Sequence, residues 1–134
     1  MKIKLNLPKK ELEKLNKGKA FRAGLLKGVT DGMLFAEGEA KKSFGRPGKL
    51  KVRSGLLRKS IKTKTKEVKN GVEGTISNVV KYAAIHEYGG KAGRNRNVTI
   101  PARPFMKPAI EDNKIKISRI IQQAIKKEVI KNAR

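Results

Sequence analysis

The sequence predicts an α+β fold in which a long N-terminal helix and a C-terminal helix pack on a small antiparallel sheet whose hairpin turns at Asn70-Gly71. Three patterns predict it. Apolar residues recur every three or four positions from Leu12 to Ala40, alternation runs from Ile61 to Val68, and helical spacing returns from Met106 to Val129. The 134 residues fit one domain, residues 1–134, because domains commonly hold about 100 to 150.

The first helix is expected from about Pro8 to Lys42, its stripe made by Leu12, Leu15, Phe21, Leu25, Val29, Met33, Ala36 and Ala40. Glycines at 18, 24, 28, 32 and 38 each cost roughly 1 kcal/mol against alanine in a helix interior, so the helix depends on packing and can break near Gly18. Gly24, Gly28 and Gly32 recur every fourth position and form a smooth strip. Two accounts fit this strip: close approach of another helix, such as one from a neighbouring subunit, or a helix that tolerates glycine.

Residues 43–53, S-F-G-R-P-G-K-L-K-V-R, read as a loop. Ser54 has the character to cap a short turn through Leu56, Leu57 and Arg58, handing over to a strand near Ser60. I-K-T-K-T-K-E-V from Ile61 to Val68 is a half-exposed strand. Asn70-Gly71 suits the centre of a two-residue hairpin loop, which requires positive φ. That register pairs Lys69 with Val72, Thr63 with Asn78 and Ile61 with Val80. One face then holds Ile61, Thr63, Thr65, Val72, Ile76 and Val80, and the other Lys62, Lys64 and Lys66 with Glu73, Thr75 and Ser77.

Unusual backbone chemistry is concentrated between Tyr82 and Pro108, which contains both tyrosines, the sole histidine, the Gly89-Gly90 pair and three of the five prolines. A short helix with Tyr82, Ile85 and Tyr88 or Glu87 on one side ends at the two glycines. Lys91 to Asn97 reads as a mobile loop with Lys91, Arg94 and Arg96, and Val98 to Ile100 as a third strand. Pro101, Pro104 and Pro108 keep the residues before them extended. This segment reads as an arm leading into a final helix that opens at Pro104 or Phe105 and runs to about Asn132, with Met106, Ile110, Ile117, Ile120, Ile121, Ala124, Ile125 and Val129 on its apolar stripe. His86 reads as a packed or interfacial histidine hydrogen-bonded at one nitrogen, and Glu87 and Tyr88 as the groups that orient Arg103 and pin the arm.

Lys and Arg total 34 against 11 acidic residues, a net charge of +23, which implies a polyanionic partner or a strongly repelling, soluble surface. Positive charge is densest between Ser43 and Asn70, with ten basic residues and one acidic. Aromatic residues are not interleaved with it, which argues against stacking on single-stranded bases. Any nucleic-acid contact is therefore through phosphates, without sequence readout. No cysteine is present, so disulfides and thiolate metal sites are excluded. The N-terminus lacks a signal-peptide core and no apolar run approaches the roughly 20 residues of a membrane span, so synthesis in the cytoplasm is expected. His86-Glu87 lacks the second histidine of a zinc peptidase, and neither a nucleophile elbow nor a phosphate loop occurs. No catalysis, metal or cofactor is expected.

Tyr82-Ala-Ala-Ile-His-Glu-Tyr-Gly-Gly, followed across a variable loop by Ile100-Pro-Ala-Arg-Pro-Phe and preceded by Ser54, Gly55, Leu57, Arg58, Ser60 and Ile61, resembles the tail-completion and head-to-tail joining (neck) proteins of long-tailed bacteriophages, related to the Mu-type virion morphogenesis family. The resemblance implies a noncatalytic virion protein of α+β fold, a ring component around a duplex-DNA channel that joins tail to head and contacts other copies of itself and neighbouring neck and tail-tube proteins. Six copies is a guess from the symmetry of such tails. Tyr82, His86, Glu87, Tyr88, Gly89, Gly90, Pro101, Arg103, Pro104 and Phe105 are then the assembly motif, and Arg46, Lys49, Lys51, Lys62, Lys64 and Lys66 are placed to face DNA. Arg94 and Arg96 have no role in this picture. The alternative is a basic protein that binds nucleic acid without sequence preference.

Overall fold

The structure is a computed structural model describing residues 2–5, 18–47, 49, 55–69 and 71–132. The expected helical start from Pro8 to Lys17, with Leu12 and Leu15, lies outside these residues, as do Lys51, Ser54 and Asn70.

Strand β1 (Lys2–Leu5) precedes helix α1 (Lys19–Ser43), which begins just after Gly18. A short helix α2 (Leu56–Lys59) leads into the hairpin strands β2 (Ile61–Val68) and β3 (Gly71–Asn78). Helix α3 (Ala83–Tyr88), the strands β4 (Gly90–Ala92) and β5 (Val98–Ile100), and helices α4 (Lys107–Glu111) and α5 (Lys114–Asn132) complete the order. The fold is α+β, with the two long helices packed together beside an antiparallel sheet.

Strand β3 is central in the order β1-β3-β2. Its alternate residues Val72, Gly74, Ile76 and Asn78 are buried, and α1 packs over β2 and β3. A Cβ on Gly74 would stand 2.6 Å from Met33 Cγ, so this glycine makes room for the fully buried methionine above it. The hairpin turns where expected, but its ladder closes on Val68 and Gly71, with Thr63 opposite Ile76 and Ile61 opposite Asn78. Gly71 therefore starts the return strand, and the expected pairing of Lys69 with Val72 shifts by two residues. Because side chains repeat every two residues along a strand, the shift leaves each residue on its expected face. Ile61, Val72 and Ile76 are buried, and Lys62, Lys64 and Lys66 are exposed. Val80 lies beyond the ladder, partly buried against the core.

Helix α1 buries two adjoining stripes. Leu25, Val29, Met33, Ala36 and Ala40 belong to the core, while Gly24, Gly28 and Gly32 receive α5. A Cβ on Gly24 would stand 2.6 Å from Ile125 Cα, on Gly28 2.8 Å from Ile121 Cα, and on Gly32 2.9 Å from Ile117 Cγ2. The descending partner numbers make the pair antiparallel. The glycine strip is thus a seam for close approach, and its occupant is the chain's own C-terminal helix, not one from another subunit.

The final helix departs from expectation by breaking at Asp112 and Asn113 into α4 and α5. Asn113 organises the break: its side-chain amide donates to Ala109 O at 3.0 Å and its carbonyl accepts from Ile117 N at 2.9 Å. Ile117 and Ile121 are buried, but Val129 is 43% exposed. At the other end of the sheet, buried Asn78 donates to Leu57 O at 2.8 Å and accepts from Val80 N at 2.9 Å, fastening α2 to the end of β3. Helix α2 is opened by Gly55, at φ 78°.

Candidate functional site

The arm is rooted on α3. Ala83 and Glu87, one helical turn apart, are its buried residues, whereas Tyr82 and Tyr88 are 42% and 60% exposed. Sequence spacing groups Tyr82 and Ile85 with Tyr88 or Glu87 on one side; in the structure Glu87 is buried and both tyrosines are exposed. The helix ends at Gly89, whose N–H donates to Ile85 O at 2.7 Å and whose φ is 75°. A side chain there would also collide with the arm, since a Cβ would stand 2.9 Å from Ala102 N and 3.0 Å from Ile100 O. Glycine is required on both counts.

Glu87 fixes the start of α4. Its carboxylate accepts the backbone N–H of Phe105 at 2.7 Å, Met106 at 3.1 Å and Lys107 at 2.7 Å. These amides open the helix, and the residue at the capping position, Met106, has no side-chain oxygen to serve them. Glu87 is therefore a cap supplied from 18 to 20 residues away. Negative charge at a helix start and hydrogen bonds to an ionised group both strengthen such an arrangement.

Arg103 does not pair with Glu87, because the three amides occupy the carboxylate. The guanidinium points to solvent, while the Arg103 backbone N–H donates to His86 O at 2.8 Å. His86 is half-buried with its ring edge-on to Tyr82 at 5.8 Å. Among the described residues its imidazole has no hydrogen-bonding partner, so the bond expected at one ring nitrogen is not made to any of them.

Pro101 is exposed, Pro104 half-buried and Phe105 1% exposed. Phe105 meets Phe44 edge-to-face at 5.4 Å. Lys49 donates to Pro104 O at 3.4 Å, which ties this lysine to the arm. Arg46 is exposed, as are Lys62, Lys64 and Lys66 along β2, at the edge of the sheet.

Beyond Gly90 the expected loop is a ribbon. Strands β4 and β5 pair antiparallel, Gly90 with Ile100, Lys91 with Thr99 and Ala92 with Val98, around a turn at Arg94–Arg96. Gly-rich spacing hid β4 from the periodicity. What the arrangement offers is a projection whose base is locked into the core at Phe105 and whose tyrosines, ribbon and cations face outward.

Residues 31–126 match the phage virion morphogenesis family. The chain belongs to that family. This member is 41% identical to Mu-like prophage FluMu G protein 2 of Haemophilus influenzae over 104 residues, covering 71% of this chain and 72% of the relative. It is 32% identical to uncharacterized protein MJ0331 of Methanocaldococcus jannaschii over 87 residues, 65% of this chain and 61% of that one. No solved structure matches it. The family match takes in the second half of α1 with Gly32, the hairpin, the arm root and most of α5. Among the described residues, no helix of this morphogenesis protein is long and apolar enough to cross a membrane.

Proposed function

We propose that this member of the phage virion morphogenesis family is a noncatalytic neck or tail-completion protein. Several copies, six being the number suggested by tail symmetry, form a ring around the DNA channel and join tail to head. The observation that carries this reading is the locked arm root. Glu87 and Phe105 commit its inner side to the core, leaving Tyr82 and Tyr88 turned outward. Aromatic residues held on a rigid base are the type that anchors protein interfaces. Neighbouring copies, other neck proteins and the tail tube are the partners, and the virion is the location. Arg46 and the Lys62, Lys64 and Lys66 row then face the channel or an acidic partner, through weak contacts that let DNA pass.

The test is assembly of the purified protein, followed by sedimentation and electron microscopy with and without tail tubes. Rings or tube-end caps are expected, and Tyr82→Ala/Tyr88→Ala should abolish them while leaving circular dichroism and the melting curve unchanged. A protein that stays monomeric in both conditions, or a double variant that assembles like wild type, overturns the reading.

The exposed lysine row favours a second reading, a basic protein that binds nucleic acid without sequence preference. Such a binder retards duplex DNA as an isolated monomer at about 150 mM salt, where a connector subunit does so poorly.

A further inference from the structure

The turn at the end of the ribbon carries charge that neither the arm root nor the lysine row explains. Between Glu87 and Glu111 the chain has five basic residues and no acidic one. Three of the five, Lys91, Arg94 and Arg96, sit on the ribbon, and residues 93–99 are all exposed. Lys91, Arg94 and Arg96 join no ion pair among the described residues. Among the described residues strands β4 and β5 pair only with each other, so a ladder about 10 Å long, from three residues at roughly 3.3 Å each, carries the turn away from its root.

The turn has a defined shape. Arg96 N–H donates to Gly93 O at 3.1 Å, Gly93 has φ 84°, and Asn95 and Arg96 have φ 57° and 54°. Two successive non-glycine residues in the left-handed region are uncommon. They set the two arginines at either end of a single tight turn.

From this geometry we infer that the ribbon tip, through Lys91, Arg94 and Arg96, contacts the phosphate backbone of duplex DNA. The tip has no aromatic side chain, so it lacks the platform that single-stranded bases stack on. A protein partner is less well served, because the large exposed apolar side chains near the arm are Tyr82 and Tyr88 at its root and Val98 on the ribbon, with none in the turn itself. Arginine and asparagine on an exposed turn suit phosphate oxygens, which accept from guanidinium pairs and amides alike. Duplex DNA presents about one negative charge per 1.7 Å of axis, so several phosphates lie within reach of one turn. Other cations also have local explanations: the Lys62, Lys64 and Lys66 row, besides facing the channel, guards an edge strand of the sheet among the described residues against strand pairing, and Lys131 near the end of α5 complements the helix dipole. The choice of duplex as the polyanion rests on the proposed virion role.

The experiment is fluorescence anisotropy of a labelled mixed-sequence duplex across a salt series. It compares wild type, Lys91→Gln/Arg94→Gln/Arg96→Gln, and the charge-matched Lys126→Gln/Lys127→Gln/Lys131→Gln on α5. For the tip triple variant the slope of log affinity against log salt should fall by about 0.9 per lost contact, hence roughly 2 to 3, and by under about 1 for the matched control. Equal falls for the two triples would reduce the effect to bulk charge and overturn the inference. So would an equal loss of affinity for polyglutamate. If the tip triple shifts the melting curve, Lys91→Gln and Arg94→Gln, which avoid the positive-φ positions, give the same comparison one charge at a time. Sedimentation separates this inference from the virion reading. Loss of duplex affinity with rings intact supports the tip, whereas a wild-type chain that never assembles sinks the ring and leaves the tip comparison to be read independently.

Discussion

Along the α1–α5 seam two backbones meet through missing side chains, Gly24, Gly28 and Gly32. At the root of the arm, a sequence separation of 18 to 20 residues is closed by one carboxylate reaching three amides. The seam draws its strength from shape: removing Cβ atoms lets the two helices share dispersion contacts and exclude water. The root draws its strength from directional bonds in a buried setting, where losing the acceptor strands three donors. A seam of the first kind fails when something is added, and a joint of the second kind when something is taken away.

The largest effect is expected from adding to the seam. Gly28→Val places a branched side chain where the obstructing atoms are Ile121 Cα at 2.8 Å and Ile121 O at 3.1 Å, backbone that cannot swing aside. A cost of about 3 kcal/mol, at the upper end of overpacking, should appear in urea melts. Gly38 lies in the same helix with nothing within 4 Å of its would-be Cβ. Gly38→Ala should therefore stabilise by about 0.5 to 1 kcal/mol through helix propensity alone. If the two variants shift stability in the same direction, the seam is not closed as described.

Next comes subtraction at the root. Glu87→Ala leaves the Phe105, Met106 and Lys107 amides without their acceptor and should cost about 2 kcal/mol, with faster hydrogen exchange at those three positions. Glu87→Gln sharpens the point. One amide oxygen can still serve two N–H groups, but the NH₂ then faces the third as donor against donor, so an intermediate loss is expected. Arg103→Lys, which would matter had the guanidinium held the carboxylate, should stay within about 0.5 kcal/mol of wild type. A Glu87→Ala protein with unchanged exchange at Phe105 and Lys107 would show that the cap is dispensable.

These two regions are unequally legible in the sequence. Periodicity locates α1 and the final helical segment, and alternation locates β2, because burial imposes 3.6- and 2-residue repeats directly on composition. The seam's occupant is also there to be found: Ile117, Ile121 and Ile125 repeat every fourth residue, as Gly24, Gly28 and Gly32 do. Glu87 is harder, since a sequence displays charged side chains but not the backbone amides that need them, and arginine is the more visible mate. The usable clue is a helix opening after Pro104 with no serine, threonine or aspartate to cap it. The hairpin shift is invisible for another reason, as a two-residue slip preserves every face. Strand β1 escapes notice although Lys2-Ile3-Lys4-Leu5 alternates, because so short a stretch at the N-terminus is first read for a signal peptide.

The smallest predicted effect concerns a second acidic joint, one that accepts from side chains where Glu87 accepts from backbone. Glu37 on α1 accepts Thr63 Oγ1 of β2 at 3.0 Å and Lys41 Nζ at 2.9 Å. Burial pushes its carboxyl up, but the hydrogen bonds from Lys41 and Thr63 and the charges of Lys41 and Lys62 together outweigh that and hold it below its ordinary value. A carboxyl depressed in the folded state binds protons less readily there than in the unfolded chain. Its contribution is thus complete above the ordinary glutamate range, near pH 4.3, and fades as pH falls through the lower folded value. Partly exposed as it is, the joint should be worth roughly 0.5 to 1 kcal/mol at neutral pH. Glu37→Gln should lose about that much at pH 7 and converge on wild type in acid, so that its urea midpoint varies less steeply between about pH 5 and pH 3. Parallel midpoint curves for the two proteins would mean that Glu37 does not link α1 to β2 through its charge, and would leave the seam and the Glu87 cap as the elements that position these helices.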